Sequence, residues 1–511
     1  MAASSQPLAV EAAINVLRNG GHAIDAAVTA TAVLSVVEPQ STGLGGDLFA
    51  IIWLAEARRL VGLNASGRAS RLASAEALLA AGHSRAPAEG ALSVTVPGAL
   101  DGLARCLTDY GTISLKQALA PAIFYAEDGF PVTEITARMW ARAAAKLSRN
   151  AESVRIWLPA GRAPLPGEVF RNPDLARTLG MIAELGPEIF YRGELGHAIV
   201  NAICDLGGVM RIDDLSQHTS DLVEPIRTSY RGFEVVELPP NNQGLAALLA
   251  LNIAEGFPFA EMELHSADRL HYLIEAMKLG FADAQAYIAD PREPIDLETL
   301  LSKQYAARRR GEIRADKTVA ARPGLSPSSG DTVYVAVVDE RRNVVSMISS
   351  VFKSFGSGVT VPGTGLVLQN RGSGFTLETN HPNCLKPGKR PFHTIIPAMI
   401  LRDGCPWACL GVVGGMMQAQ GHLQVALNLI DFEMNPQAAL DAPRFRILED
   451  GQLALEDGIQ ESARAELAAR GHRLQSDETE EGYGGGQVIL ISDYALFGGS
   501  DPRKDGCAIG Y

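Results

Sequence analysis

The spacing of apolar residues predicts two helices and a strand at the start of the chain. The first helix begins near Pro7 and ends at Gly20-Gly21, because proline favours the first turn of a helix and glycine its end. The second, Ile24 to Val37, is apolar on nearly every face, which indicates a helix inside the core. A tight loop, Gly43-Leu44-Gly45-Gly46, then leads into a predicted strand at Leu48 to Leu54.

The middle of the chain is predicted to be mainly helical. Between about Pro121 and Leu300 the only strand that we predict is Tyr230 to Leu238, and no internal repeat occurs. The clearest boundary is Lys303 to Gly330, which begins as a charged helix-like run and ends rich in Pro, Gly and Ser. Such a composition is typical of an exposed linker.

A threonine stands where this linker enters a predicted sheet. Thr332 to Asp339 is β-branched and nearly all apolar, and Arg341-Arg342-Asn343 turns the chain into a second strand at Val344 to Val351. Cutting the chain before Thr332 would place a free α-amine, with a pKa near 8, on the residue that carries the hydroxyl. Nucleophile and base would then belong to one residue, although an ordinary strand-initiating threonine is the competing interpretation.

Composition narrows the classes of partner. The 511 residues carry a net charge of −13, which argues against a nucleic acid or an anionic membrane as partner. A small anionic substrate stays open, because one local arginine can outweigh a distant field. The six cysteines are scattered without CxxC spacing, so we expect free thiols, no metal and no cofactor. No secretory signal is recognisable, and we expect a cytoplasmic protein.

Several short motifs extend over nearly the whole chain. They are Gly20 to Ala27, Thr42 to Gly46, Thr332, Val337-Val338-Asp339, Asn343, Phe355 to Gly358, Gly363-Thr364-Gly365, Leu368-Gln369-Asn370, Lys389-Arg390-Pro391, Gly414-Gly415, Asn435 to Phe445 and Ser500 to Arg503. Together, and in this order, they resemble the γ-glutamyltransferase family. The resemblance implies an α/β fold, a four-layer αββα sandwich of the N-terminal-nucleophile hydrolases. One self-cleaved precursor would supply a large subunit, residues 1–331, and a small subunit, residues 332–511.

The resemblance also implies roles for individual residues. The bond between Asp331 and Thr332 would be cut, and Thr332 would then attack the substrate carbonyl to form an acyl-enzyme, which water or an acceptor amine releases. Ser350 falls where the family has a second hydroxyl near the nucleophile. Gly414 and Gly415 match the glycines of the oxyanion hole, whose N–H groups stabilise developing negative charge. If the resemblance to the family is set aside, these two glycines are explained equally well as the turn in which a strand ends.

Other positions depart from the γ-glutamyl pattern, which binds the α-amino and α-carboxylate groups of the substrate. The departures are Gly374 for an Asp, Arg371 for a Glu or Gln, Phe352 for an Asn, His393-Thr394 for paired serines, Val333 for a second Thr, and Ser66, near Arg68, for an Arg of the large subunit. Losing the Asp removes the partner of an ammonium group, while Arg371 adds a planar cation suited to a carboxylate. Phe352 fills space that a longer acyl chain would need.

We therefore expect a small-molecule amide with a short, carboxylate-bearing acyl group and no α-amine. The expected substrate contacts are Arg371, Phe352, Asn370, His393 and Thr394. Oxamate, the substrate of amidohydrolases in purine degradation, fits this description and would yield ammonia. The alternatives are a true γ-glutamyltransferase or glutathione hydrolase, a related acylase, and a matured but inactive structural relative.

Other interpretations stay open for single residues and for the assembly. Arg371 could be structural, and His393 could be a hydrogen-bonded core residue. The sequence does not decide whether Ser66 or Arg68 contributes to the pocket. Nor does it exclude a homo-oligomer of the two-subunit unit.

Overall fold

The computed structural model describes residues 1–319, 331–448, 450–475 and 480–511. The Pro, Gly and Ser-rich end of the predicted linker, Pro323 to Gly330, lies outside the described residues. The strands are β1 (Ala2–Ser4), β2 (Asp47–Leu54), β3 (Arg59–Ala65), β4 (Phe130–Pro131), β5 (Val169–Phe170), β6 (Asp221–Val223), β7 (Ile226–Tyr230), β8 (Phe233–Glu237), β9 (Asp331–Val338), β10 (Val344–Phe352), β11 (Ala398–Arg402), β12 (Cys405–Val413), β13 (Phe445–Ile447), β14 (Leu453–Leu455), β15 (Leu474–Gln475), β16 (Gly485–Ile491), β17 (Leu496–Ser500) and β18 (Cys507–Ile509).

The helices surround these strands. They are α1 (Pro7–Arg18), α2 (Ala23–Val37), α3 (Ala75–Ala80), α4 (Ala99–Tyr110), α5 (Leu115–Asp128), α6 (Glu134–Leu147), α7 (Ala151–Trp157), α8 (Pro173–Leu185), α9 (Glu188–Tyr191), α10 (Glu194–Asp205), α11 (Ile212–Ser216), α12 (Gly244–Ala254), α13 (Ala267–Tyr287), α14 (Leu297–Leu301), α15 (Lys303–Arg310), α16 (Met417–Ile430), α17 (Pro436–Asp441) and α18 (Glu461–Ala469). Short 3-10 helices lie at Ala91–Ser93, Phe259–Glu261, Arg371–Gly374 and Glu480–Tyr483.

Two antiparallel sheets form the centre of the fold. One has the strand order β18-β1-β9-β10-β2-β3-β6 and the other β17-β16-β12-β11-β8-β7. Both sheets combine strands from the two sides of Thr332. In the first sheet β1, β2, β3 and β6 join β9, β10 and β18, and in the second β7 and β8 join β11, β12, β16 and β17. The segments 1–331 and 332–511 therefore build one unit rather than two separate domains.

Side-chain alternation along the strands produces the layers. In β9, Val333, Val335 and Val337 join the core beneath one set of helices, while Tyr334 and Ala336 join the core between the two sheets. Because both faces of the strand are buried, its sequence from Val333 to Val338 is apolar without the usual alternation. A third core packs the other sheet against α12, α13 and α16. The predicted four-layer αββα arrangement is confirmed.

The predicted elements around the site occur with small shifts. Helix α2 is buried along its whole length, as its uniform apolarity indicates. The predicted strand Tyr230 to Leu238 is wrong in part, because Arg231 and Gly232 have φ angles of 52° and 86° and turn the chain between β7 and β8. A two-residue hairpin turn with both φ angles positive is compatible with the twist of antiparallel strands. No described helix is long and apolar enough to span a bilayer.

Candidate active site

Thr332 lies at the start of β9, buried between polar groups from two other elements. Its residue exposure is 2%. The Gln418 side chain, in the first turn of α16, donates from Nε2 to Thr332 Oγ1 at 3.2 Å. Thr332 Oγ1 also lies 3.5 Å from Ser350 Oγ, a long contact for two hydroxyls. Two polar side chains thus converge on this hydroxyl.

Ser350 reaches the peptide bond before Thr332 because β10 bulges at this point. The β9–β10 register shifts between Ser349 and Phe352, so two residues of β10 lie opposite Thr332. Ser350 Oγ donates to the carbonyl oxygen of Asp331 at 2.6 Å and accepts from the Phe352 N–H at 2.7 Å. The serine hydroxyl therefore forms a hydrogen bond with the carbonyl group that Thr332 would attack during self-cleavage.

Gly414 and Gly415 form the junction between β12 and α16. Their φ angles are 116° and 61°, which favours glycine at both positions. A Cβ on Gly414 would lie 3.1 Å from the Cα of Gly484. Within the described residues, neither glycine N–H donates a hydrogen bond. Gln418 joins this turn to Thr332, because its own N–H donates to the Gly415 carbonyl at 3.2 Å.

Arg371 is a fully buried cation with an incomplete set of partners. Its Nη1 donates to Thr394 Oγ1 at 3.0 Å, and the Phe352 ring lies 3.9 Å from the guanidinium carbon. Its Nε and Nη2 have no hydrogen-bond partner in the described part of the chain. Burial lowers the Arg371 pKa to about 9, and the negative charge of Asp47 opposes part of this shift. The guanidinium therefore stays cationic at neutral pH.

His393 is buried with Asp47 behind the wall of the site. Its Nε2 donates to Asp47 Oδ2 at 3.0 Å, since the Ile395 N–H occupies Nδ1 at 3.3 Å. Burial and the charge of Arg371 lower the His393 pKa to about 3, so the imidazole is neutral. Burial alone would raise the Asp47 pKa, but the His393 hydrogen bond and the Arg371 charge hold it below its ordinary value. This geometry favours a supporting role for His393, and direct substrate contact stays a prediction.

Asn370 supports a loop beside the site. Its Nδ2 donates to the Ala88 carbonyl at 2.6 Å and its Oδ1 accepts from the Lys353 N–H at 3.1 Å. Substrate contact by Asn370 stays a prediction, although both ends of its amide are already engaged. Ser66 Oγ donates to Asn64 at 2.7 Å within the core, and Arg68 lines a separate pocket and pairs with Asp290 at 3.2 Å. Neither lines the cleft described next.

A cleft of about 680 Å³ opens beside these groups. Phe352, Thr394 and Met416 line it at the end nearest the site. Phe352 pairs with Asp331 across the strands, and Met416 directly follows Gly415. Arg371 lies behind this wall, in contact with both Phe352 and Thr394.

One group of possible metal ligands is found among the described residues, away from this cleft. His271, Glu275 and His472 place three ligand atoms within 4.8 Å of one another. His271 Nδ1 and His472 Nε2 share a hydrogen bond of 2.8 Å. Lys278 Nζ donates to Glu275 Oε1, also at 2.8 Å. The ammonium group beside this carboxylate opposes a second cation, so the cluster is satisfied as an internal polar network.

The comparisons with known proteins agree with this geometry. The family model of gamma-glutamyltranspeptidase matches residues 9–511. The chain belongs to the gamma-glutamyltranspeptidase family. It is 38% identical to the glutathione hydrolase-like YwrD proenzyme of Bacillus subtilis, over 100% of this chain and 98% of that protein. It is 35% identical to the oxamate amidohydrolase proenzyme of Klebsiella pneumoniae, again over 100% and 98%.

A solved structure of a cephalosporin acylase from Bacillus halodurans matches with a TM-score of 0.93. It is 43% identical, over 100% of this chain and 96% of that one. The predicted class, an amidohydrolase with the fold of the N-terminal-nucleophile hydrolases, is confirmed. The relatives differ among themselves in the substrates that their names give. Membership of the gamma-glutamyltranspeptidase family therefore does not fix the substrate, and the expected oxamate-like substrate is not confirmed.

Three polar residues of the site were not found from the sequence. Gln418 bonds the Thr332 hydroxyl, Gln243 Nε2 donates to the Gly415 carbonyl at 2.8 Å, and Asp47 neutralises charge beside Arg371. Gln243 directly precedes an apolar helix, and Asp47 begins an apolar strand. A polar residue at the edge of a fully buried element is the signal that could have identified Gln243 and Asp47. Gln418 has no such signal, because it lies within a helix that contains several other polar residues.

Proposed function

We propose that this chain is the precursor of an amidohydrolase that cuts itself between Asp331 and Thr332. The new N-terminal Thr332 then hydrolyses amides whose short acyl group carries a carboxylate. The observation that carries the choice of substrate is Arg371, a buried guanidinium with two nitrogens that have no partner in the described part of the chain. Relatives described as proenzymes support the processing into two subunits.

Maturation begins with attack of Thr332 Oγ1 on the carbonyl carbon of Asp331. The C–N bond breaks, the nitrogen takes up the hydroxyl proton, and water hydrolyses the resulting ester. The products are a carboxylate at Asp331 and a free amine at Thr332. Ser350, which donates to the attacked carbonyl oxygen at 2.6 Å, stabilises the negative charge that develops there.

Turnover uses the same hydroxyl with a new base. The neutral Thr332 amine accepts the hydroxyl proton as the oxygen attacks the substrate carbonyl, and that proton then leaves with the amine of the substrate. The Gly414 and Gly415 N–H groups, which have no partner within the described residues, stabilise the oxyanion. Gln418 orients the Thr332 hydroxyl. Water then attacks the acyl-enzyme in the same way, with the Thr332 amine as base, and the acid is released from the Thr332 oxygen.

Arg371 supplies the selectivity for the acyl group. An unpaired buried cation is costly, and a carboxylate held by its Nε and Nη2 would complete its hydrogen bonds. The Phe352 ring covers the guanidinium, so the ring must turn aside before a carboxylate can reach Arg371. The bulk of the same ring keeps the acyl pocket short. Gly374 offers no carboxylate to an α-ammonium group. Oxamate is the smallest amide of this class.

Two other substrate classes have support of their own. The resemblance to a glutathione hydrolase-like proenzyme favours γ-glutamyl amides, which would keep the α-amino group. The structural match to a cephalosporin acylase favours a larger amide. A clear preference of the unmutated protein for an α-amino acyl group would overturn the role given to Arg371, while leaving the Thr332 mechanism standing.

The test of the acyl specificity is Arg371→Gln. Self-cleavage should proceed, but kcat/KM for an anionic amide should fall roughly 10–100-fold, the effect of a lost charge-assisted hydrogen bond. An analogue with the carboxylate replaced by an amide should lose far less, and Arg371→Lys should not restore activity, because an ammonium lacks the planar fork. Arg68→Gln, in the separate pocket, is the matched control. Equal losses on anionic and neutral substrates would make Arg371 a structural residue.

A further inference from the structure

Gln243 is a fully buried glutamine that joins two loops beside the site. It directly precedes α12 and is 0% exposed. Its Nε2 donates to the carbonyl oxygen of Thr394 at 2.5 Å and to the carbonyl oxygen of Gly415 at 2.8 Å. Because one nitrogen binds both oxygens, they lie no more than about 5 Å apart. One side chain therefore fixes the spacing of two loops that follow different strands.

The chemistry of these partners determines the orientation of the Gln243 amide. Both partners are carbonyl oxygens, which accept hydrogen bonds and cannot donate them, so the amide nitrogen must face them. The other end of the amide, Oε1, has no hydrogen-bond partner within the described residues. A buried oxygen in this state is costly to the fold. The contribution of Gln243 therefore comes from its two N–H groups.

The two carbonyl groups belong to the parts of the site that would bind opposite ends of the acyl group. Thr394 Oγ1 accepts from Arg371, to which we assign the substrate carboxylate. Gly415 carries one of the N–H groups that we assign to the oxyanion, and its carbonyl also accepts from the Gln418 N–H. In a carboxylate-bearing amide, the number of methylene groups sets the distance between these two ends. The spacing of Thr394 and Gly415 thus selects one length of acyl group.

On the basis of the function proposed above, we infer that Gln243 is a positioning residue that sets the acyl length of the substrate, a monoamide of a short dicarboxylic acid. It acts through Thr394 and Gly415 rather than on the substrate itself. With these loops held at one spacing, an added methylene group displaces either the carboxylate from Arg371 or the carbonyl oxygen from Gly415. A displacement of about 1 Å at the reacting carbonyl is enough to lower the rate on the order of 100-fold.

The monoamides of oxalic, malonic and succinic acids test this inference, because they differ only in the number of methylene groups. With the processed, unmutated protein, kcat/KM should be highest for oxamate and should fall about tenfold or more with each added methylene group. Gln243→Met keeps the length of the side chain but removes both N–H groups, so the two loops are no longer held together. This variant should lower kcat for oxamate on the order of 10–100-fold. It should also reduce the difference between successive acids to less than about threefold.

A second buried glutamine provides the matched control. Gln424 Nε2 donates to the carbonyl oxygens of Gln420 at 3.0 Å and Phe445 at 3.1 Å, neither of which we assign to the site. Gln424→Met should therefore lower stability and leave the preference for acyl length unchanged.

A shorter amide at the same position gives a second variant. Gln243→Asn keeps the N–H groups on a side chain that is one methylene group shorter, so it reaches at most one of the two carbonyl groups. It should weaken the preference for acyl length in the same way, with a smaller loss of kcat. It also supplies the test if Gln243→Met does not fold.

The outcomes distinguish the inference from the proposed function. If the Gln243 variants lose kcat/KM by the same factor for all three acids, or lose nothing, Gln243 does not set the acyl length and the inference is overturned. The inference is also wrong if the unmutated protein hydrolyses the three acids equally well, although the role of Arg371 would stand. If the unmutated protein hydrolyses none of them, or prefers the neutral diamides, the proposed substrate class fails and the inference fails with it.

Discussion

At the scale of single residues, the site is built from polar groups that are held away from water. Ser350 reaches the Asp331 carbonyl, Gln418 reaches Thr332, and Arg371 is unpaired on two nitrogens within the described part of the chain. Groups fixed in this way need no reorganisation when charge develops, which is the main source of the catalytic effect that we propose for them.

Ser350 gives a prediction about maturation. Ser350→Ala removes the donor to the Asp331 carbonyl and should slow self-cleavage on the order of 100–1,000-fold, the effect of removing one oxyanion donor. Ser350→Thr keeps a hydroxyl and should cleave at a rate much closer to the unmutated chain. The measurement is the fraction of uncleaved chain over time on denaturing gels. Normal cleavage of the alanine variant would show that the hydrogen bond is incidental.

Residues that the family resemblance marks could be predicted from the sequence, and those defined only by their place in the fold could not. A threonine after a linker and two glycines after a strand have ordinary structural explanations, so Thr332, Gly414 and Gly415 were predicted as site residues through the resemblance. Gln418 lies in a helix whose other residues are mostly apolar, and nothing in its local pattern points to Thr332. Its role depends on a contact between positions 86 residues apart.

At the scale of elements, the junction of β12 and α16 determines where Gly414 and Gly415 lie. His422 Nδ1 donates to Glu237 Oε1 at 2.7 Å, because the Val412 N–H occupies Nε2 at 3.2 Å. Burial raises the Glu237 pKa, opposed by the neighbouring His422. This buried pair joins β8 and β12 to α16, just before Gly414.

The pair predicts a strong energetic coupling. His422→Leu should destabilise the protein by roughly 3–5 kcal/mol, because Glu237 loses its partner while buried. Glu237→Leu in addition to His422→Leu should recover part of that loss, since both polar groups are then gone. A double-mutant cycle of unfolding free energies measures the coupling. Additive effects of the two substitutions would contradict it.

Helices and strands were predictable from the sequence where one spacing of apolar residues, that of a helix or that of a strand, dominates a segment. The β9–β10 hairpin follows from two β-branched runs around a polar turn, and α2 from an apolar run long enough for a helix. For the β7–β8 hairpin only a strand from Tyr230 to Leu238 was predicted, which covers β8 and misses most of β7, because Arg231 is not a residue that usually marks a turn with positive φ.

At the scale of the whole molecule, the two segments on either side of Thr332 share every core layer. The resemblance to the family supplied this four-layer arrangement, because periodicity alone does not specify which strands are neighbours. Charges also act between the segments. Glu38, at the end of α2, accepts from Ser5 Oγ at 2.5 Å within the first segment, and Lys504 of the later segment acts on it electrostatically.

Glu38 predicts a dependence of stability on pH. Burial raises its pKa from 4.5 to about 7, with Lys504 and Ser5 opposing the shift. A carboxyl group with a raised folded-state pKa stabilises the fold below its unfolded pKa and loses that contribution as pH rises through the folded value. Relative to Glu38→Gln, the unmutated protein should therefore lose roughly 3 kcal/mol of stability between pH 4.5 and 7. The exposed Glu76→Gln is the control, and a constant difference across this range would contradict the prediction.

The most direct test of the central claim is the N-terminal sequence of the smaller chain in the purified protein. We predict a chain of residues 332–511 that begins with Thr332, a single uncleaved chain for Thr332→Ala, and a cleaved chain for Thr332→Ser, which keeps the hydroxyl. Cleavage of Thr332→Ala at the same bond, or a smaller chain that begins at another residue, would contradict the account.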